Sequence, residues 1–293
     1  MKLILILLTT IITFNCCSQT TTPIKEPLIQ LLNKKGKTPL TSLLTQAKWN
    51  ELFPNRYGQS VKNSEKTKFD FYSYKSFVTA ARCFPEFLSG NPVIQKCELA
   101  AFLANIAQET SGGWANAPGG YFKWGLCFVE EVEDSSKNLY ADITKVKYPP
   151  VPGKSYSGRG PKQLSWNYNY GQFSEAWYGS KDTLLQHPER LAHDPVLSFA
   201  SAIWFWMTTQ FPKPSCHDIM VGKWKPTSND LMNGRVPGFG ATVNVINGGV
   251  ECGNGRELEK TAFRYKYYMY FCDYFHVSPG ENVSCSNQKP FGQ

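Results

Sequence analysis

The sequence has few of the residues that bind metals in proteins. It contains four histidines among 293 residues, and its nine cysteines form no Cys-x-x-Cys or Cys/His spacing of the kind that binds zinc. We therefore expect no metal centre. Basic residues exceed acidic ones, 31 against 23, but they are scattered and form no stripe interleaved with aromatic residues. This pattern argues against nucleic acid as a partner.

No apolar run reaches the ~20 residues that a helix needs to span a bilayer. Residues 3–14 are apolar, follow Lys2 and have the length of the apolar core of a secretory signal. We expect residues 1–18 to be a signal peptide and the protein to be secreted, without stable membrane insertion. A lipid-anchored cysteine is the alternative, but Phe14-Asn15 before Cys16 lacks the small residues of such a signal.

Strand-like alternation is scarce, and no internal repeat divides the chain. Residues 19–40 are polar and basic and are expected to form a linker, whereas residues 41–293 are expected to form one domain. Apolar residues recur at helical spacing over residues 41–52, 76–84, 98–109, 195–208 and 257–275. Between these segments Gly, Pro, Tyr and Trp are frequent. The pattern predicts a mainly α domain in which irregular loops form a cleft.

The stretch from Ala101 to Glu131 combines a helix, an aromatic loop and acidic residues. Ser111-Gly112-Gly113 ends the helix, and Glu109 lies in its last turn, on the side predicted to face the core. Partial burial there favours a protonated carboxyl group that can act as an acid. The apolar positions of the buried face are Leu99, Phe102, Leu103 and Ile106. The loop and the acidic run that follows it contain Trp114, Tyr121, Phe122, Trp124, Glu130, Glu131, Glu133 and Asp134.

Acidic pairs beside aromatic rings suit glycoside hydrolysis. One carboxyl group protonates the leaving oxygen, another activates water or attacks carbon, and flat rings stack on sugar faces. The same features also occur without catalysis, because a glutamate at a helix end is often a structural group and an acidic run is often a solvated face. The residues by themselves leave both interpretations open.

Several ordered segments resemble the motifs of the family 19 chitinases. Gln108-Glu-Thr-Ser-Gly-Gly-Trp114 is similar to that family's His-Glu-Thr-Thr-Gly-Gly-Trp signature, and Trp124-Gly-Leu-Cys-Phe128 with Glu131 is similar to the segment of its second carboxylate. Further similar segments follow in order at residues 158–171, 202–207, 234–240, 245–253 and 285–291. The resemblance covers residues 41–291. It implies a lysozyme-like, two-lobed, α-rich domain with long loops around a substrate cleft.

The resemblance also implies roles for individual residues. Glu109 would be the general acid, and Glu131 with Ser165 would hold the attacking water. Residues similar to substrate-binding positions are Gln163, Tyr168, Asn169, Asn247, Tyr148, Trp124 and Lys213. Residues expected to support the cleft are Glu251, its tentative partner Lys260, and Arg159. Without the resemblance, composition favours a different interpretation of the segment around Ser165, a polar turn packed by tyrosines.

The chain departs from the family pattern at two places. Gln108 replaces the family's histidine, which removes a titratable neighbour of the acid, and we expect this to shift the pH optimum. Seven cysteines remain once Cys16 and Cys17 are assigned to the signal, and the odd number leaves at least one free thiol, for which Cys272 is our choice. The resemblance implies a disulfide between Cys252 and Cys285.

The resemblance implies a secreted, monomeric endochitinase that needs no cofactor and acts on chitin or its oligosaccharides. The Asp-x-x-Asp-x-Asp-x-Glu run of the other main chitinase class is absent, so we expect an inverting single displacement. Two alternatives stay open: a lysozyme-like glycosidase that acts on peptidoglycan, and a non-catalytic chitin-binding protein. The second is disfavoured because both carboxylates and Ser165 are present.

Overall fold

Helices form almost all of the regular structure. The computed structural model describes residues 26–33, 36–57, 70–131, 140–255 and 258–292. Within these ranges the β-structure is limited to three isolated bridges, so the prediction of a mainly α domain is confirmed. The helices are α1 (Leu40–Leu43), α2 (Gln46–Leu52), α3 (Tyr74–Ala81), α4 (Pro92–Glu109), α5 (Asn167–Tyr178), α6 (Asp182–Gln186), α7 (Arg190–His193), α8 (Pro195–Met207), α9 (Cys216–Met220), α10 (Ser228–Met232), α11 (Phe239–Glu251) and α12 (Glu259–Phe275).

Helix α4 carries Glu109 as its last residue. It begins at Pro92, earlier than predicted, because the Asn91 side chain caps it by accepting the backbone N–H groups of Val93 and Ile94 at 3.0 Å. At the other end the Gly112 N–H donates to the Ala107 carbonyl at 3.1 Å. Gly113 then turns the chain with φ +66°, and a Cβ atom there would overlap the carbonyl oxygen of Tyr121. Glycine is therefore required at this turn.

Helix α4 is buried on every side along residues 98–107. The prediction of a single buried face was too narrow, because α12 packs along α4 while α9 and α11 also contact it. Phe102 stacks on Phe77 of α3 with ring centroids 5.8 Å apart, and it meets the edge of Trp206 of α8 at 5.5 Å. Aromatic pairs of this kind add packing energy beyond the area they bury. The end of α4 is thus held rigidly.

One ionisable side chain, Glu98, is completely buried in the middle of this packing. Its carboxylate accepts hydrogen bonds from the Leu88 N–H (3.1 Å) and Trp206 Nε1–H (2.9 Å), and it lies 2.7 Å from His217 Nδ1. Burial raises the pKa of Glu98, and the contact with His217 opposes that shift. The Glu98 carboxylate therefore connects α4 to Trp206 of α8 and to His217 of α9.

Residues 28–33 form a short 3-10 helix inside the segment predicted to be a linker. Its apolar side chains pack against the domain, and the helix contacts α5. Part of that segment is therefore an attached element of the domain. No helix in the described ranges is both long and apolar enough to cross a membrane.

The predicted disulfide joins Cys252, at the end of α11, to Cys285 in the C-terminal segment. The Gly253 N–H also donates to the Cys285 carbonyl at 3.2 Å, so a backbone hydrogen bond next to the bridge joins the same two segments. Cys272 is free, as predicted. The other free thiols of the described residues are Cys83, Cys97, Cys127 and Cys216.

Removing the disulfide should destabilise the protein. The bridged residues are 33 positions apart, and a loop of this size restricts the unfolded chain enough to contribute about 3–4 kcal/mol. We expect the double variant Cys252→Ser/Cys285→Ser to lose about that much unfolding free energy in urea denaturation, whereas Cys97→Ser loses much less. Peptide mapping without reductant should recover the linked pair, and finding both thiols free would contradict the assignment.

Removing the buried carboxylate should be at least as costly. Glu98→Ala leaves the Trp206 and Leu88 donors and His217 without their acceptor, which typically costs about 3–5 kcal/mol. Val93→Ala, an exposed change on the same helix, is the matched control and should cost little. Equal urea midpoints for the two variants would show that Glu98 does not hold α4 in place.

Candidate active site

The domain contains a cleft of about 1480 Å³. Its walls are the end of α4, the loop of residues 144–148, the segment 162–169 that enters α5, the loop after α8, and residues 246–250 of α11. Predicted site residues that line it are Glu109, Glu131, Ser165, Gln163, Tyr168, Asn169, Asn247, Tyr148 and Lys213. Residues far apart in the sequence, from the end of α4 to α11, thus face one space.

Thr110 brings the two proposed catalytic carboxylates near each other. It is fully buried, and its hydroxyl donates to the Ile106 carbonyl at 2.6 Å, one turn back on α4. The same hydroxyl accepts the Leu126 N–H at 2.8 Å, and the Thr110 carbonyl accepts the Phe128 N–H at 2.9 Å. The chain that leads to Glu131 is therefore fastened to the residue that follows Glu109.

Short backbone pairings then hold Glu131 beside the segment that carries Ser165. The Glu131 N–H donates to the Gly158 carbonyl and the Gly160 N–H donates to the Val129 carbonyl, both at 2.8 Å. Arg159 in turn forms an antiparallel bridge with Leu164, the residue before Ser165. Three short segments are therefore paired by backbone hydrogen bonds, as in a small sheet. This pairing fixes the backbone position of Glu131.

The Glu131 carboxylate is surrounded by hydrogen-bond donors. The Tyr140 hydroxyl donates to Oε1 at 3.0 Å, and the Gly158 N–H donates to Oε2 at 3.3 Å. Burial, together with this contact to Glu131, raises the pKa of Tyr140, so the phenol stays a donor. The two donors fix the orientation of the carboxylate that was predicted to act as the general base.

The neighbouring Glu130 has a different role. Its carboxylate pairs with the buried Arg159, at 3.0 Å from Nε and 2.9 Å from Nη2. Arg159 also donates from Nη1 to the Ser155 carbonyl and the Tyr170 hydroxyl, both at 3.0 Å. Glu130 therefore anchors the arginine that was expected to support the cleft, and it does not line the cleft. Glu133 and Asp134 lie outside the described residues.

Arg264 of α12 is the ionic partner of Glu109. The guanidinium is buried, and its Nη2 donates to Glu109 Oε1 at 2.7 Å and to Glu251 Oε1 at 2.6 Å. Its Nε donates to Glu251 Oε2 at 3.1 Å, which makes the contact with Glu251 bidentate. The prediction considered only burial around Glu109, whereas the structure adds a cation in direct contact.

Glu251 is paired with Arg264, one helical turn beyond Lys260 along α12, and the predicted contact of Lys260 with Glu251 stays a prediction. A planar guanidinium binds one carboxylate through two parallel N–H donors and still reaches a second carboxylate from the same group. The Lys260 side chain lies outside the described residues. Arg264 is the only arginine in α12, on the face that packs against α4 and α11, and this position was the signal that the sequence offered.

Asn247 lies at a kink in α11. Its backbone is not helical (φ −146°, ψ 33°), and its side-chain amide donates to Glu251 Oε1 at 3.0 Å. Interruptions of this kind are frequent where a helix forms part of a functional site. The kink turns residues 246–250 toward the cleft and links them to the pair of Glu251 and Arg264.

Ser165 is held close to Glu131 through Gly158. Its hydroxyl donates to the Gln163 carbonyl at 2.9 Å, so its lone pairs remain available. A Cβ atom on Gly158 would lie 3.3 Å from Ser165 Oγ and 2.9 Å from Gln163 Oε1. Gln163 adopts a left-handed backbone (φ +50°), a strained conformation for a residue with a side chain. A side chain at position 158 would crowd Gln163 and Ser165 beside Glu131.

The remaining predicted binding residues are held by neighbouring segments. Asn169 Nδ2 donates to the Ser165 carbonyl at 2.9 Å and Lys213 Nζ donates to the Val245 carbonyl at 3.1 Å. Tyr148 lines the cleft. Its hydroxyl donates to Glu175 Oε2 at 2.6 Å, so its ring is the part left to contact a substrate. Tyr168 is stacked with Trp166, with ring centroids 6.2 Å apart.

Two predicted neighbours of the site are not part of the cleft lining. Trp124 packs on Trp114 with ring centroids 4.9 Å apart and donates from Nε1 to the Pro118 carbonyl at 2.8 Å. Gln108 lies against Gly112 on the other side of the helix end. The aromatic pattern of the sequence could not show which rings turn toward the cleft. Conversely, Tyr140 and Lys162 line the cleft and were not predicted.

Comparison with known proteins agrees with this geometry. The sequence model of the class I chitinases, glycoside hydrolase family 19, matches residues 43–285. The chain is 41% identical over 285 residues to endochitinase CH25 of Brassica napus, covering 95% of this chain and 84% of that protein. It is also 44% identical over 258 residues to inactive chitinase-like protein 1 of Hevea brasiliensis, covering 88% and 78%.

Solved structures give the same result. Chitinase C from Streptomyces griseus HUT6037 matches with a TM-score of 0.63 and 31% identity, covering 83% of this chain and 97% of that chain. The class IV chitinase from Zea mays matches with a TM-score of 0.61 and 31% identity, covering 84% and 99%. These likenesses, together with the family match over most of the domain, show that the chain belongs to glycoside hydrolase family 19.

Proposed function

We propose that this family 19 glycoside hydrolase is an endochitinase that cleaves β-1,4 links between N-acetylglucosamine units by an inverting single displacement. The observation that carries the proposal is the placement of Glu109 and Glu131 in one cleft, each with its own hydrogen-bonding partners. One of the similar proteins is named inactive, so family membership alone does not decide activity. The intact pair of carboxylates supports catalysis here.

Glu109 is the general acid of the proposed reaction. It protonates the glycosidic oxygen as the bond to C1 breaks, and it becomes a carboxylate at that moment. Arg264 Nη2, 2.7 Å away, stabilises the negative charge that develops on Glu109 in the transition state. Because Glu251 already binds the same guanidinium, the cation is fixed in place before the substrate enters.

Glu131 and Ser165 orient the attacking water. The Ser165 hydroxyl proton is committed to the Gln163 carbonyl, so its oxygen can only accept a hydrogen bond from the water. Glu131 accepts the water's other proton. A water molecule held between two acceptors must direct a lone pair outward, toward C1 of the sugar. This arrangement favours direct attack by water over attack by the carboxylate, and thus favours inversion.

Export and a monomeric state are part of the same proposal. The apolar run of residues 3–14 supports a secretory signal. The disulfide between Cys252 and Cys285 supports an oxidising compartment, because such bridges are rare in cytosolic proteins.

The roles of adjacent acidic residues can be separated by mutation. Glu131→Gln should lower kcat on chitin hexamer by about 10²–10⁴-fold, because the general base is lost. Glu130→Gln is the matched control: a glutamine still accepts a hydrogen bond from Arg159, so we expect a loss below about tenfold. Equal losses in the two variants would show that Glu131 is not the base.

The stereochemistry tests the mechanism as a whole. Proton NMR of chitin hexamer hydrolysis, recorded at the earliest times, should show the α-anomer first, because water attacks C1 from the face opposite the leaving group. Mutarotation follows later. If the β-anomer is formed first, the single displacement by Glu109 and Glu131 is excluded.

A further inference from the structure

The lining of the cleft carries more positive than negative side chains. It holds four lysines, Lys145, Lys147, Lys162 and Lys213, against two glutamates. Lys147 is paired with Glu175 outside the lining at 3.0 Å. Chitin is uncharged, so binding it gives no reason for a surplus of ammonium groups at this place.

Lys162 is the least satisfied of these cations. In the described part of the chain its ammonium group makes one close contact, a cation–π interaction with the ring of Phe205, with 4.5 Å between Nζ and the ring centroid. It belongs to the segment that carries Gln163 and Ser165, next to the residues proposed to bind the water. An ammonium group has three donors and retains a strong demand for acceptors when it is half-buried.

The nearby carboxylates do not neutralise it. Glu109 and Glu251 share the guanidinium of Arg264, while Glu131 is bound by Tyr140 and the Gly158 N–H. Burial lowers the pKa of Lys162, with the charge of Glu109 acting in the opposite direction.

Lys213 adds a second positive charge near Lys162. Burial lowers the pKa of Lys213, and the charge of Lys162 lowers it further. Lys213 donates to the Val245 carbonyl, and among the described residues it has no acidic partner. Two half-buried cations that repel each other are held at a free-energy cost, and a bound anion would reduce that cost.

We propose that Lys162, assisted by Lys213, forms a subsite for a carboxylate-bearing N-acetylhexosamine unit, so that the cleft accepts acidic β-1,4-linked glycans as well as neutral chitin. This inference rests on the proposed function, since it concerns the same cleft and the same reaction. The carboxylate of the substrate binds the Lys162 ammonium group in an ion pair. Lys162 is thus a specificity-determining residue, and Glu109 and Glu131 perform the hydrolysis.

The test uses one glycan in two charge states. Bacterial glycan strands freed of their stem peptides carry a lactyl carboxylate on every second sugar, and amidation of these groups gives a neutral strand of the same shape. We expect the wild-type protein to cleave the acidic strand with a kcat/KM about tenfold higher than the amidated one. The ratio should fall toward one in about 0.5 M sodium chloride, because salt screens the ion pair.

Two variants assign the effect to its residue. Lys162→Met keeps the length of the side chain and removes its charge, and it should lower kcat/KM on the acidic strand about tenfold more than on the amidated strand. Lys48→Met removes an exposed charge of α2 outside the cleft lining and should leave the ratio at its wild-type value. Equal cleavage of both strands by the wild-type protein, or an equal loss on both in Lys162→Met, overturns the proposal.

Chitin hexamer separates this proposal from the proposed function. If the hexamer is not cleaved, the proposed function fails. Calorimetric binding of the two strands to Glu131→Gln then still tests the subsite. Tighter binding of the acidic strand, lost in Glu131→Gln/Lys162→Met, supports it, and equal binding of both strands refutes it.

Discussion

The buried guanidinium of Arg264 is the constraint on which the cleft depends. It lies at the meeting point of three helices: it comes from α12, binds Glu251 of α11 with two donors, and binds both Glu109 and Asn105 of α4. A buried charge of this kind is tolerated only when its donors find acceptors. Helix packing therefore determines the position of the acid, and any shift of α11 or α12 would be felt at Glu109.

The opposite wall is built by backbone hydrogen bonds. Thr110 fastens the chain at Leu126 and Phe128 to the end of α4, and Gly158 pairs with Glu131. These few hydrogen bonds hold the segments together without a regular β-sheet. Glu109, the proposed acid, is thus held by side-chain charge within a helical core, whereas Glu131, the proposed base, is held by backbone pairing in a loop. The two carboxylates therefore have independent supports.

The charge of the cleft follows from the same arrangement. Arg264 binds Glu109 and Glu251, so in the described part of the chain neither carboxylate is paired with Lys162 or Lys213. Lys162 therefore faces the space where the substrate is bound, beside Ser165. The network that holds Glu109, the proposed acid, therefore leaves a positive surface in the cleft, and this connects the proposed mechanism with the proposed preference for acidic glycans.

The sequence by itself determined the local features: helical spacing and a glycine stop placed Glu109 at a helix end, and motif resemblance assigned Glu131. Only the tertiary structure decided which distant side chains meet them. Arg264 is 155 residues from Glu109 and also binds Glu251, while Trp124 packs outside the cleft lining. Periodicity reports which side of a helix is apolar, because burial repeats with the helical turn. It carries no information on contacts between segments, which depend on how whole helices pack.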